Sequence, residues 1–196
     1  NAVSGGKKAR GKSAVCPFCS HTHPLETHKR LAFEGKGQDA LLVVADHDDT
    51  LGKRFREPTA VEVHAADAAV AALANEPEFS PFLTALPDEQ IPEGDGHTIR
   101  PLTYGAKTFG DLMIPRQGLA FTRLARSIDA LVPELLDAGL SDEYVRALTA
   151  YAAAQLARQL RRSTRGATLD VARQGSHDIF VNESTIAFSH DNLEPP

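Results

Sequence analysis

Two amphipathic stripes separated by three residues constrain this chain more than any other feature. Over residues 115–138, Phe121, Leu124, Ile128, Leu131 and Leu135 recur at three- and four-residue steps, the spacing that gathers side chains on one side of an α-helix. Gly139 follows as a C-terminal stop, since glycine tolerates the left-handed backbone that ends helices. Ser141 then offers a capping hydroxyl, and Asp142 and Glu143 place negative charge at the positive end of a new helix dipole. In that helix Val145, Leu148, Ala152, Leu156 and Leu160 continue the stripe, and Ala152, Ala153 and Ala154 permit close approach. With only Gly139, Leu140 and Ser141 between them, the two helices are expected to turn back and pack antiparallel.

The remaining signals are shorter. Residues 40–45, Ala-Leu-Leu-Val-Val-Ala, form an aliphatic run followed by Asp46-His-Asp-Asp49, which reads as a buried strand and a turn, with residues 53–57 as hairpin partner beyond Gly52. Thr59 and Glu62 have capping-box spacing, which predicts a helix to about Ala74, closed by Glu76-Pro77. Residues 77–96 form an acidic, proline-rich connector in which Phe79, Phe82 and Leu86 are expected to dock a short helical turn. After Gly166 the pattern weakens, although residues 178–181 and 185–188 flank Asn182-Glu-Ser184 like two short strands.

The predicted class is therefore α+β, predominantly α: a long antiparallel helical hairpin with a small β element and an N-terminal Cys-x-x-Cys knuckle. Five segments follow: a flexible arm with a junction scar over 1–13, a zinc-knuckle-like segment over 14–38, and a small α/β region with the acidic connector over 39–103. The hairpin occupies 104–166, and a short β hairpin or extended tail 167–196. With 196 residues, 42% of them apolar, the chain can bury one core and a small satellite. It lacks the run of about 20 apolar residues that a membrane-crossing helix needs, so a soluble chain with no membrane partner is expected. Two cysteines are too few for a disulfide framework, which favours a reducing cytoplasm.

Cys16-Pro-Phe-Cys19 is the strongest chemical motif, because such a turn presents two thiolates to one tetrahedral zinc, with imidazoles as further ligands. Cys16, Cys19, His23 and His28 form a candidate zinc set, although the gap from Cys19 to His23 is shorter than in the usual zinc finger. A redox dithiol and an unliganded turn remain as alternatives. The net charge of −5 conceals blocks: the N-terminal arm is basic, residues 46–95 are acidic, and arginines dominate the later helices. Arg158, Arg161, Arg162 and Arg165, with Arg116, Arg123 and Arg126 on the first helix, suit either a helix C-terminus or phosphate contact. No Gly-x-Ser-x-Gly is present and no glycine-rich loop follows a strand pattern, so no catalytic residue is assigned.

The stretch Tyr104-Gly-Ala-Lys-Thr-Phe109-Gly-Asp-Leu-Met-Ile-Pro115-Arg-Gln117 resembles the adenine-specific DNA methylases that carry a zinc ribbon and an N-terminal domain of unknown function. Cys16-Pro-Phe-Cys19-Ser20 is similar to that family's Cys-Pro-x-Cys-Gly knuckle, and Gly52-Lys-Arg-Phe-Arg-Glu-Pro58-Thr59 to its Gly-Arg-x-Tyr-Arg-x-Pro-Thr segment, in the same order. Ser20 departs from the family glycine, and the chain beyond Ser163 departs from the family's Asn-Ser-rich continuation. The resemblance implies an internal, non-catalytic segment of a parent DNA adenine-N6 methyltransferase, with S-adenosylmethionine bound only by the parent's flanking methyltransferase domain. It further implies that the segment engages DNA or shapes target recognition while a base is flipped. Arg116 and Gln117 would contact DNA, Tyr104 and Phe109 would stack on bases, and the other arginines would meet phosphates; an aromatic anchor and a helix-start salt bridge or cap are the equally open alternative for Tyr104, Phe109, Arg116 and Gln117. The alternative is a structural or protein-interaction insertion without DNA contact.

Overall fold

A computed structural model describes residues 13–16, 18–50, 52–94, 98–170, 172, 175–182, 185–189 and 193. Most of the expected N-terminal arm and the Glu183-Ser184 turn lie outside these residues. The chain is α+β, and its described strands form four separate antiparallel pairs rather than one sheet.

Strands β1 (Ser13–Val15) and β2 (Thr22–Pro24) flank the Cys-x-x-Cys turn, and α1 (Leu25–Phe33) follows directly. The next pair is β3 (Val44–Asp48) with β4 (Gly52–Arg56), registered so that Asp46 lies opposite Arg54. This corrects the expected strand at 40–45: Leu42 and Val43 are exposed and precede the strand, which runs on through the acidic residues assigned to the turn. The reason is electrostatic. Arg56 donates to Asp46 (2.5 and 3.3 Å) and to Glu62 (2.8 and 2.6 Å), so the pairing is anchored by charges rather than by the aliphatic run.

Helix α2 (Ala60–Ala74) begins at the expected capping box. The Thr59 N–H donates to Glu62 Oε2 at 2.7 Å, and the Glu62 N–H donates to Thr59 Oγ1 at 3.4 Å. The connector beyond it forms no helical turn at Phe79–Leu86; Phe82 stands in solvent, while Leu86 packs where a side chain on Gly118 would otherwise go. Two 3-10 turns, Pro101–Tyr104 and Gly110–Leu112, lead into α3 (Pro115–Asp137). Gly139, at φ 87°, ends that helix region, and α4 (Asp142–Leu160) starts at Ser141, whose Oγ accepts the Tyr144 N–H at 3.3 Å.

Helices α3 and α4 contact each other, and α2 contacts α3. The side of α3 turned from solvent runs through Phe121, Ala125, Ile128, Val132 and Leu135; on α4 it runs through Val145, Thr149, Ala152 and Leu156. Leu124, Leu131 and Leu148, expected in the stripe, are exposed. Ala125, Val132 and Thr149 hold their places, each displaced by one residue, because smaller or branched side chains let two helix backbones come close.

The core lies elsewhere. Ile91, Ala106, Leu112 and Ile179 are buried together, with Ile99, Leu102, Ile186 and Phe188 packed around them. Backbone bonds bind these distant segments: Arg165 N–H to Leu112 O (2.7 Å), Ile179 N–H to Arg161 O (2.9 Å) and Ile186 N–H to Thr98 O (2.9 Å). Two further pairs complete the fold, β5 (Leu169–Asp170) with β6 (Gly175–Ser176) and β7 (Phe180–Asn182) with β8 (Thr185–Ile186). The C-terminal segment is thus a wall of the core. No helix among the described residues is long and apolar enough to cross a membrane.

Candidate functional site

The Cys-x-x-Cys turn is a tight loop closed by backbone bonds. The Cys16 N–H donates to His21 O and the Ser20 N–H to Cys16 O, both at 2.9 Å. Ser20 takes φ 59°, a left-handed conformation that glycine adopts without strain. The backbone N–H of Cys19, then that of Phe18, then the Cys19 thiol point at the Cys16 sulfur and hold its thiol below the ordinary range. That arrangement suits a thiolate, the form in which cysteine binds metal or attacks.

The imidazoles are disposed less favourably. His23 lies on β2 with its ring edge-on to His21 at 4.6 Å. His28 lies on α1, 6.1 Å from the Tyr104 ring, and burial followed by the charge of His23 pushes its pKa down. Among the described residues, no group of three or more His, Cys, Asp or Glu side chains is placed to hold a metal ion. Cys16 and Cys19 thus share one tight turn, with His23 on the strand beyond it and His28 on the helix that follows.

The Tyr104–Gln117 motif forms a joint. Tyr104 stacks on Phe188 with ring centroids 5.2 Å apart and planes 7° from parallel. A methyl on Gly105 would meet Ala32 O at 2.8 Å, and one on Gly110 would meet Pro87 O at 2.6 Å, so neither glycine can carry a side chain without backbone movement. Gln117 is 2% exposed: its Oε1 accepts the Ile114 N–H at 3.1 Å, and its Nε2 donates to Leu193 O at 3.1 Å. Both ends of that amide are committed inside the protein, which removes Gln117 from a nucleic-acid surface. Phe109 remains partly exposed.

The arginines do not gather on one face. Arg123 and Arg126 both reach Glu76, at 2.9 and 3.4 Å, and Arg126 also donates to Pro77 O and lies over the Phe79 ring at 4.2 Å. Arg161 pairs with Asp178 at 2.9 Å and covers the Phe180 ring, while Arg162 donates to Ser176 O at 2.9 Å. Arg165 forms a two-bond fork with Asp39 at 2.8 and 2.7 Å. Arg116 is half-buried at the start of α3, and Arg158 is exposed on α4.

No family model, curated protein or solved structure matches the chain. Several residues that organise the site carry no motif signal. Glu76 reads only as a helix stop, and Asp39 and Asp178 belong to no motif, yet together they occupy four arginines. Gly6 to Ser13 has the Gly-x-x-x-x-Gly-Lys-Ser spacing of a phosphate-binding loop. Such a loop leads into a helix whose N-terminus meets the phosphate, whereas Ser13 opens strand β1.

Proposed function

We propose that the chain is a non-catalytic accessory domain of a DNA adenine-N6 methyltransferase, in which an antiparallel α3–α4 hairpin and the Cys-x-x-Cys knuckle are held on a common joint. The observation that carries this reading is the packing of the resembled motif. Tyr104 joins the C-terminal wall, Gly105 admits the end of α1, and Gln117 caps α3 while holding Leu193. A motif built in this way fixes the angle between modules, a role suited to shaping the target-recognition region beside a flanking catalytic domain. S-adenosylmethionine belongs to that flanking domain. Zinc is proposed at Cys16 and Cys19, whose thiols fit it, with the remaining ligands supplied by another segment of the parent.

DNA contact in this reading falls to exposed side chains, Arg158 and Phe109 foremost. Arg123, Arg126, Arg161 and Arg165 would have to exchange an internal carboxylate for a phosphate, which weakens their contribution. A second reading, an architectural insertion without DNA contact, is favoured by those same carboxylate partners. Fluorescence anisotropy with duplex and single-stranded DNA separates the two. DNA engagement predicts low-salt binding that weakens with a slope of about −1 per phosphate contacted and is lost in Arg158→Ala. No binding at any salt leaves the architectural role alone. The methyltransferase assignment itself fails if the surrounding reading frame lacks a cofactor loop before this segment and an Asp-Pro-Pro-Tyr-type motif after it.

A further inference from the structure

We propose that the outer flank of the α3–α4 pair is a self-association surface on which a second copy of this chain seats across a two-fold axis, root of one hairpin against tip of the other. This rests on the hairpin in the reading above but not on the methyltransferase assignment. The flank carries five large apolar side chains left in solvent: Leu124 at 51% exposure, Leu131 at 44%, Tyr144 at 56%, Leu148 at 42% and Tyr151 at 67%. Each immediately precedes a residue of the solvent-shielded stripe, namely Ala125, Val132, Val145, Thr149 and Ala152. One residue is a rotation of about 100° about a helix axis. In an antiparallel pair, equal rotations in the same sense turn both sets to the same side, so the five form one patch. Tyrosine is enriched at protein interfaces, and the leucines beside it add apolar area without charge.

Charge selects the occupant. The same one-residue offset places Glu134, which precedes Leu135, near the tip of this flank, and Arg158, which precedes Gln159, near its root. Neither forms an ion pair among the described residues, although Arg123, Arg126, Arg161 and Arg165 all do. A flank whose apolar side chains are joined by an acid toward the tip and a base toward the root is complementary to itself when reversed. A two-fold axis performs that reversal, setting Glu134 of each copy beside Arg158 of the other.

Sedimentation velocity of the full chain over a wide micromolar range tests this. The expected result is a concentration-dependent shift from the 21.1 kDa monomer to a species of twice that mass. Leu131→Glu and Leu148→Glu should each raise the dimer dissociation constant about tenfold or more. Glu134→Arg and Arg158→Glu should each weaken the dimer, and the double swap should restore it. A wild-type chain that stays monomeric throughout, a dimer indifferent to the leucine changes, or a double swap without recovery overturns the proposal. Val145→Asp separates this from the hairpin itself, since Val145 is fully buried. That variant should unfold well before Leu148→Glu on heating. If it does not, the hairpin reading fails and the dimer with it; if it does and the wild type is monomeric, only the dimer fails.

Discussion

Replacing Gly105 by alanine tests whether α1 and the Cys-x-x-Cys turn before it are docked on the core or merely adjacent to it. Gly105 has φ 85°, in the left-handed region, where an alanine costs about 1–2 kcal/mol. The added methyl would also stand 2.8 Å from Ala32 O and 2.9 Å from Phe33 Cα, backbone atoms at the end of α1. Backbone cannot rotate aside as a side-chain tip can, so overpacking adds about 1–3 kcal/mol. The total is about 2–5 kcal/mol. Gly139 is the internal control: it has φ 87° but nothing within 4 Å of an added methyl, so Gly139→Ala should cost only the conformational part, about 1–2 kcal/mol. Urea unfolding followed by circular dichroism measures both, and amide exchange along α1 shows whether the loss in Gly105→Ala is centred there. Equal unfolding midpoints for the two variants, with α1 protection unchanged, would refute the docking.

Three further outcomes are expected. Hydrogen bonds from Arg56, and for Glu62 also from Thr59, hold the carboxyls of Asp46 and Glu62 below their usual range, so their contribution is complete above the unfolded carboxylate pKa of about 4 and lost as pH falls through the folded values. Thermal midpoints should therefore drop on acidification below that point, and Arg56→Met should flatten the drop; an unchanged slope would remove Arg56 as its source. Ser20→Gly should raise stability by about 0.5–1 kcal/mol by relieving the left-handed serine, and a lower thermal midpoint would contradict that geometry. Cobalt(II) titration should give a thiolate charge-transfer band that rises with pH and disappears in Cys16→Ser and in Cys19→Ser; a band surviving either change excludes the paired thiols as the ligands.

The legible parts of the fold were those whose causes are local in the chain. Thr59 and Glu62 mark the start of α2, Ser141 that of α4 and Gly139 the break between α3 and α4, because capping groups and their partners lie within four residues of each other. Long-range choices were not legible. Hydrophobicity selects Leu124 and Leu131 for the stripe, but the side turned from solvent runs through Ala125 and Val132, and ranking residues by apolarity misses that. The strand at Val44–Asp48 depends on Arg56 and Glu62 beyond the turn. The arginines look like one basic face until their distant partners Glu76, Asp39 and Asp178 are placed. An aromatic anchor and a helix-start cap were open readings of Tyr104 and Gln117, whereas their distant partners Phe188 and Leu193 were not legible.

The parallel bridge between Ile99 and Ile186 has a consequence for how the chain is made. Synthesis proceeds from the N-terminus, so α2, α3 and α4 leave the ribosome before Ile179, Ile186 and Phe188 exist to cover Ile91 and Leu112. The nascent protein carries helices and an open apolar seam at the same time. It closes once residues 179–188 have emerged, so a stop codon shortly after α4 would release a helical but unsealed chain, prone to aggregate.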